Sequence, residues 1–182
     1  MQLDKKAEYM TEVGDQNPDS SSNEHTVSES AMAGVVDSIR SLADNQPFGM
    51  LCTQFDGQPY GSMIALAFTP DLKNAVFSTP RATRKYHNLA ECHRVAIVVN
   101  NLDKHPDELM KVSAFTLTGQ ASEATDGEDH ARWSGLLLER HPELKSFVES
   151  PSTAVFRVRI TRFFHVSSFQ EVTQWSPSQD DN

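Results

Sequence analysis

Hydrophobic positions divide the 182-residue chain into a polar start, a long mixed middle and a short polar end. Residues 1–29 hold too few apolar side chains to offset the entropy cost of ordering, so we expect a disordered acidic tail. From Ser30 onwards, apolar residues recur every three or four positions, which predicts an amphipathic helix. The Asn-Gln-Pro at 45–47 ends this helix. The pattern therefore predicts one folded domain over 30–175 and a polar tail over 176–182.

Most of the folded part carries the short apolar runs and turn residues of β-strands. Asp56-Gly57 is a tight-turn dipeptide that predicts a hairpin, and Gly119 predicts a bend or bulge in a long strand. Asp126 can cap a helix that ends near Arg140. The expected strands cover residues 48–55, 59–68, 75–79, 95–100, 111–124, 153–162 and 164–169. Residues 172–175 are expected to extend the last two of these strands. A short helix is expected over 82–91. This order favours a mainly β, α+β fold, a small closed barrel of six to seven strands with peripheral helices.

Charge is concentrated at the ends of the chain. The formal net charge is -9, but residues 1–30 hold seven acidic residues against two lysines, and 31–175 are nearly neutral. A body without a large basic excess does not favour nucleic-acid binding. The chain has no apolar run long enough to span a membrane and begins without the apolar stretch of a signal peptide. We therefore expect a cytoplasmic protein that binds neither nucleic acid nor membrane.

One stretch of this nearly neutral body is basic: residues 78–88 read S-T-P-R-A-T-R-K-Y-H-N. Arg81, Arg84 and Lys85 lie where a strand is expected to end and a helix to begin. Thr83 can supply a hydroxyl there, and the N–H groups and dipole of a helix N-terminus favour an anion such as a phosphate monoester. The three cations could equally be solvated charges that surround a helix start, and their spacing alone does not separate the two interpretations.

The order of motifs around this stretch resembles the FMN-binding split-barrel family, which includes pyridoxamine 5'-phosphate oxidase, haem-utilisation proteins and small flavin reductases. The run P-Y-G-S-M-I-A-L-A-F over 59–68 is followed by V-F-S-T over 76–79, T-R-K over 83–85 and R-V-A-I-V-V over 94–99. The stretch F-R-V-R-I-T-R-F-F-H-V-S-S-F-Q-E-V over 156–172 is similar to the family's last pair of strands. The resemblance implies a split β-barrel over most of the domain.

The resemblance also implies an FMN site. The residues implied to contact the flavin lie on two strands and one helix start: Ser62, Met63, Ile64, Phe77, Ser78, Thr83, Arg84 and Lys85. The first three would line the flavin along the second strand, the next two would meet its ring or ribityl chain, and the last three would hold its phosphate. In such proteins the flavin lies at the interface of a homodimer, so the resemblance also implies a homodimer. The strands over 95–99 and 111–124 would provide part of the interface.

The sequence departs from the true oxidase at the positions that hold the substrate phosphate. The oxidase has an arginine and a lysine at the two ends of its flavin strand, where this chain has Ser62 and Ala67. A pocket without those cations would reject pyridoxamine 5'-phosphate. The expected function is therefore that of an FMN-dependent oxidoreductase with a different small-molecule substrate or electron donor.

The flavin itself would perform the electron transfer, so we name no catalytic side chain. The sequence also shows no recognised metal-ligand spacing. Two alternatives remain open at this point. The barrel could bind haem, with His165 as a candidate iron ligand, or it could bind a flavin without turning over a substrate.

Overall fold

The computed structural model describes residues 9–10, 29–105, 107–167 and 171–178. The tails expected over 1–29 and 176–182 therefore lie largely outside the described residues. No helix in these described ranges is both long enough and apolar enough to cross a membrane.

Strands dominate the described part of the chain and join in one antiparallel sheet. They are β1 (Tyr9–Met10), β2 (Phe48–Phe55), β3 (Gln58–Ala65), β4 (Ala67–Phe68), β5 (Asn74–Pro80), β6 (Arg94–Asn100), β7 (Ala114–Glu123), β8 (Thr153–Ser167) and β9 (Glu171–Trp175). Two of these strands have only two residues each. The mainly β, α+β fold expected from the sequence is confirmed.

Four α-helices accompany the sheet in the described ranges: α1 (Glu29–Asn45), α2 (Arg84–Glu91), α3 (Gly127–Arg140) and α4 (Lys145–Val148). Short 3-10 turns lie at Leu102–Lys104, Leu109–Lys111 and Pro142–Leu144. The side chain of Asp126 accepts a hydrogen bond from the Asp129 N–H and caps α3, as predicted. The Asp56-Gly57 hairpin turn is also confirmed, since both residues have the positive φ angles that such a two-residue turn requires.

The strands follow the order β1-β9-β8-β7-β6-β2-β3, and β5 pairs with both β4 and β8. The long strand β8 therefore pairs with β7 on one side and with β5 and then β9 on the other. The prediction of two strands over 153–162 and 164–169 is wrong, because β8 runs through this break. A register shift opposite Gly119 absorbs one extra residue of β8 without ending the strand.

The barrel is open between β3 and β5, which confirms the split barrel implied by the family resemblance and corrects the closed barrel expected from the strand pattern alone. The two strands lie close together, but the ladder pairings of the described residues do not join them. The main core fills the inside of the curled sheet and is covered by α1, with Leu51, Phe77 and Ile97 among its fully buried members. The gap between β3 and β5 is where the basic stretch at the start of α2 lies.

A second, smaller core lies on the other side of the sheet, where Trp133 and Leu137 of α3 pack against Val76 and Val155. We call this side, which faces away from the main core, the outer face. Helices α3 and α4 cover one end of it. Arg140 fastens α3 to α1, because its guanidinium donates to the Asp44 and Gln46 carbonyls at the end of α1, at 2.9 and 3.0 Å.

Candidate functional site

The start of α2 is fixed by the hydroxyl of Thr83. Thr83 is the N-cap residue, and its Oγ accepts a hydrogen bond from the Tyr86 N–H. The same hydroxyl donates to the Pro80 carbonyl at 2.8 Å and lies 2.9 Å from the Thr79 hydroxyl at the end of β5. These bonds join β5 to α2 rigidly. They also mean that protein groups already use the Thr83 hydroxyl that sequence reasoning assigned to a phosphate.

The two cations that follow Thr83 reach across the gap to β3. Lys85 Nζ donates to the Met63 carbonyl at 3.3 Å. The guanidinium of Arg84 lies over the ring of Tyr60, 5.1 Å from its centroid, in a cation–π contact. Burial lowers the pKa of Lys85 below its ordinary value of 10.5, because a desolvated ammonium loses its hydration. The site therefore holds two cations at the mouth of the gap, one of them partly desolvated.

Arg81 does not join these two cations. Its guanidinium forms an ion pair with Glu123 at 2.6 Å and donates to the Tyr86 hydroxyl at 2.9 Å. The hydrogen bond that Arg81 donates to the Glu123 carboxylate is the main cause that raises the pKa of Arg81. The basic stretch therefore separates into one neutralised arginine that ties α2 to β7, and two cations that point to β3.

The β3 residues named from the sequence face different sides of the strand. Met63 lies on the outer face and is 60% exposed, whereas Ile64 is buried in the main core. Ser62 is half-buried, and its Oγ has no hydrogen-bond partner within the described ranges. A buried hydroxyl without a partner costs free energy. Such an atom beside the gap is what a site for a polar ligand would contain.

On β5, Phe77 and Ser78 differ in the same way. The Phe77 ring is fully buried and stacks on Phe156, with centroids 5.4 Å apart. The structure thus places the Phe77 side chain in the core and leaves no side-chain surface for a ligand. Ser78 is half-buried on the next position of the strand, where its side chain points away from the main core.

Two residues that sequence reasoning did not select help to shape the site. Tyr60 carries Arg84 on its ring, and Asn88 anchors α2 to β2 by donating to the Thr53 hydroxyl at 3.0 Å. Tyr60 lies two positions before Ser62, so strand periodicity places both side chains on one face. That periodicity was a usable signal for Tyr60. No signal in the sequence indicates that Asn88 bonds to Thr53, because the two residues lie far apart along the chain.

The outer face near the site is apolar and exposed. Phe48 and Met50 on β2 are 55% and 46% exposed, and they adjoin Met63 on β3 and Val98 on β6. A groove of about 500 Å³ runs along these side chains. Contiguous exposed apolar side chains on a sheet mark a surface that binds another molecule.

His165, the candidate iron ligand, is 3% exposed and lies inside the fold. Its Nε2 is 2.9 Å from the Ser113 hydroxyl, while its Nδ1 is buried without a partner among the described residues. Burial in this apolar setting lowers the pKa of His165 below 6.5. This position offers no open side at which an iron atom could bind.

A family model described as pyridoxamine 5'-phosphate oxidase matches residues 35–167. That range contains the gap between β3 and β5, all of α2 and the strands that form the main core. A search of curated protein sequences finds no significant match.

Solved structures with the same fold include proteins with different ligands in their descriptions. A haem-binding protein from Mycobacterium smegmatis has a TM-score of 0.68 and 20% identity over 76% of this chain and 56% of its own. The haem storage protein HutZ from Vibrio cholerae has a TM-score of 0.61 and 16% identity, with 71% and 93% covered. An FAD-binding protein from Mesorhizobium loti has a TM-score of 0.57 and 16% identity, with 78% and 94% covered. This chain therefore spans just over half of the M. smegmatis protein, and identities this low establish the shared fold alone.

Proposed function

The chain belongs to the pyridoxamine 5'-phosphate oxidase family, and from that premise we propose that it is an FMN-dependent oxidoreductase. The observation that carries this proposal is the pair of cations at the gap. Arg84 and Lys85 lie beside β3, close to a serine hydroxyl that lacks a partner in the described structure. A phosphate monoester carries about two negative charges at neutral pH, and an arginine fork with an ammonium suits it.

The residues of the gap fit this cofactor. Arg84 and Lys85 would hold the phosphate, with the N–H groups at the start of α2 beside them. Ser62 would donate its unused hydroxyl proton, and Ser78 and the backbone of Met63 would line the remaining length. Ile64 and Phe77 would support the site from the core, since both side chains are buried. When bound, FMN would supply hydride or single-electron transfer, while the protein binds and orients.

The substrate we propose is a small molecule other than pyridoxamine 5'-phosphate. Ala67 stands where the oxidase has its phosphate-binding lysine, and it is buried in the second core against α3. Ser62 stands where the oxidase has an arginine. The phosphate of a substrate such as pyridoxamine 5'-phosphate would meet apolar surface at this end of the site. It would lose its hydration without gaining a cation in exchange.

We propose further that two copies form a homodimer through the apolar outer face. Phe48, Met50 and Met63 supply exposed apolar side chains of the kind found at the centre of protein interfaces. Lys85 bonds to the backbone of the same Met63 whose side chain belongs to this surface. A flavin in the gap would therefore lie at the edge of the dimer contact.

A titration of the purified full chain with FMN, followed by flavin fluorescence, tests the proposal. We expect Arg84→Gln to weaken FMN binding about ten- to hundredfold, because a charge-assisted hydrogen bond contributes about 1.5–3 kcal/mol. Arg81→Gln is the matched control, since it removes one charge from the same stretch but from an arginine that Glu123 neutralises. Protein that stays colourless and does not change FMN fluorescence would contradict the proposal, and so would equal losses in both variants.

Adding haem or a reductant to the same purified protein distinguishes the two alternatives that the sequence analysis left open. Two of the compared proteins are described as haem-binding or haem-storing, which favours haem as the second candidate ligand. A Soret band on haem addition, without any response to FMN, would establish that alternative. If His165→Ala kept this band, the ligand would lie elsewhere, as the burial of His165 suggests. Bound FMN that no reductant turns over would instead indicate a non-catalytic flavin protein.

A further inference from the structure

The outer face changes character along its strands. At the end nearest to the proposed dimer contact, one row of residues lies side by side across four paired strands: Met50, Val98, Thr116 and Phe164. Another row of paired residues crosses the same face four residues earlier on β6. It contains Arg94 on β6, Gln120 on β7 and Arg159 on β8 in direct register, and we call it the basic row. All three of these side chains are exposed. One end of the outer face is therefore apolar, and the other end is basic.

The arginines of this basic row have no carboxylate partner among the residues that the structure describes. Arg159 donates to the side-chain oxygen of Gln120 at 3.3 Å, which leaves the Gln120 amide N–H groups free to donate. Arg157 lies two positions before Arg159 on the same face of β8. Its guanidinium packs over the Trp133 ring, 5.6 Å from the ring centroid. Arg162 donates to an amide oxygen, that of Gln174. The guanidinium groups of Arg94 and Arg159, on two strands separated by β7, repel each other, and an anion between them removes that cost.

Two members of the basic row, Arg94 and Gln120, line a concave site, and Arg159 adjoins it through its hydrogen bond to Gln120. At the β-bulge, Thr118 pairs with Arg162 and Gly119 pairs with Ile160, so Thr161 is the extra residue of β8. The bulge leaves a groove of about 380 Å³ lined by Arg94, Val95, Thr118, Gly119, Gln120 and Thr161. That volume is within the range of small-molecule pockets.

We propose that this groove is a second anion site, which binds a small molecule carrying two adjacent phosphates, such as a nucleotide diphosphate. Arg94 and Arg159 are two strand spacings apart, about 10 Å between their Cα atoms. Their long side chains can each hold one phosphate of a diphosphate bidentately, with the Gln120 amide donating between them. A diphosphate offers each arginine fork a separate pair of oxygens, whereas a single phosphate must share its oxygens between the two forks.

The site is separate from the proposed flavin site and compatible with the proposed dimer. Arg94 is four residues from Val98 along β6, about 13 Å from the apolar row at strand geometry. The flavin-phosphate cations belong to α2 and point to β3, on the opposite side of β2 from β6. Neither proposal requires the other to hold.

Calorimetric titration of the full chain with inorganic pyrophosphate at low ionic strength tests this inference. We expect the double variant Arg94→Gln/Arg159→Gln to weaken pyrophosphate binding at least tenfold. The variant Lys104→Gln/Lys145→Gln removes the same charge from exposed lysines elsewhere and should bind as the wild type does. The variant Arg84→Gln/Lys85→Gln should lose FMN and keep pyrophosphate, which separates this site from the flavin site. Circular dichroism checks that each variant is folded, and the single variant Arg159→Gln replaces the double one if that fails to fold.

Four results would overturn the inference. The wild type could fail to bind pyrophosphate, or it could bind orthophosphate equally well. Pyrophosphate binding could be lost in the charge-matched lysine variant as strongly as in the arginine variant. It could also be lost in Arg84→Gln/Lys85→Gln alone, which would place the pyrophosphate in the flavin-phosphate site.

Discussion

In the proposed flavin site, the protonation state of Lys85 would control the affinity for the FMN phosphate. Its pKa is lowered by burial, so it begins to lose its charge at a lower pH than an exposed lysine. FMN affinity should therefore fall as pH rises through a range below the 10.5 at which an exposed lysine loses its charge. Lys85→Arg, which remains charged throughout, should bind FMN with a nearly constant affinity over this range. Equal pH profiles in the two proteins would show that Lys85 does not contact the phosphate.

His165 makes stability depend on pH in the opposite direction. Burial lowers its folded-state pKa below the 6.5 of an exposed histidine, so the unfolded chain binds more protons between these two values. The free energy of unfolding should therefore be insensitive to His165 above about pH 6.5 and fall as the pH drops below it. Denaturant titrations from pH 7.5 to 5 check this.

His165→Asn should remove part of this pH dependence, since asparagine does not titrate. His87→Asn is the control, because His87 is exposed on α2. If the pH dependence of stability were the same in wild type and in His165→Asn, then the folded and unfolded pKa values of His165 would be equal, and the prediction would be wrong.

The sequence could locate the cations of the site but not their partners. Arg81, Arg84 and Lys85 look equivalent in the printed chain, yet Glu123 neutralises Arg81 and leaves the other two. That ion pair depends on β7 lying beside the start of α2, which no local pattern encodes. Ser62 was selected from the family resemblance, whereas its missing hydrogen-bond partner is visible only in the structure.

At the scale of elements, the local signals were reliable where one residue decides a boundary. The cap Asp126 and the turn at Asp56-Gly57 each stand where the sequence placed them. Thr83, which the sequence analysis assigned to a phosphate, instead caps α2. The pattern failed on β8, because the extra residue Thr161 interrupts the alternation of buried and exposed positions. A bulge is defined by the pairing of two strands. In the sequence of one strand alone, the extra residue therefore looks like the end of one strand and the start of another.

Gly119 is the residue of this bulge at which a side chain cannot be accommodated. A Cβ atom there would lie 2.5 Å from the Arg159 carbonyl oxygen and 2.8 Å from Val158 Cγ1. Gly119→Ala should lower the free energy of unfolding by about 1–3 kcal/mol, because β7 and β8 must move apart. Gly135→Ala in α3 is the control: its Cβ would meet nothing within 4 Å, and alanine should stabilise that helix by up to about 1 kcal/mol. Similar denaturation midpoints for the two variants would contradict this account of the bulge.

At the scale of the whole molecule, the motif order indicated a split barrel, but the position of the opening required the structure. The barrel is open between β3 and β5, and α2 spans that opening through Lys85. The same arrangement leaves the outer face uncovered beyond α3. The proposed cofactor site and the proposed dimer contact thus follow from one feature, a sheet that curls without closing.

The dimer is tested by placing charge in its proposed contact. Met50 and Met63 face each other across β2 and β3 and are both exposed. Wild-type protein should elute at twice the chain mass in light-scattering chromatography. The variant Met50→Glu/Met63→Glu should be monomeric, because four buried carboxylates would face one another in a dimer.

Phe55→Glu is the control for this variant, since Phe55 is also exposed but lies at the tip of the β2–β3 hairpin. It should remain dimeric. FMN affinity should fall with the loss of the dimer, because the second copy would supply part of the flavin contact. A wild type that is monomeric at high protein concentration would refute the dimer proposal. A glutamate variant that remains dimeric would place the contact on another surface, and the basic end of the outer face would then need to be tested in its place.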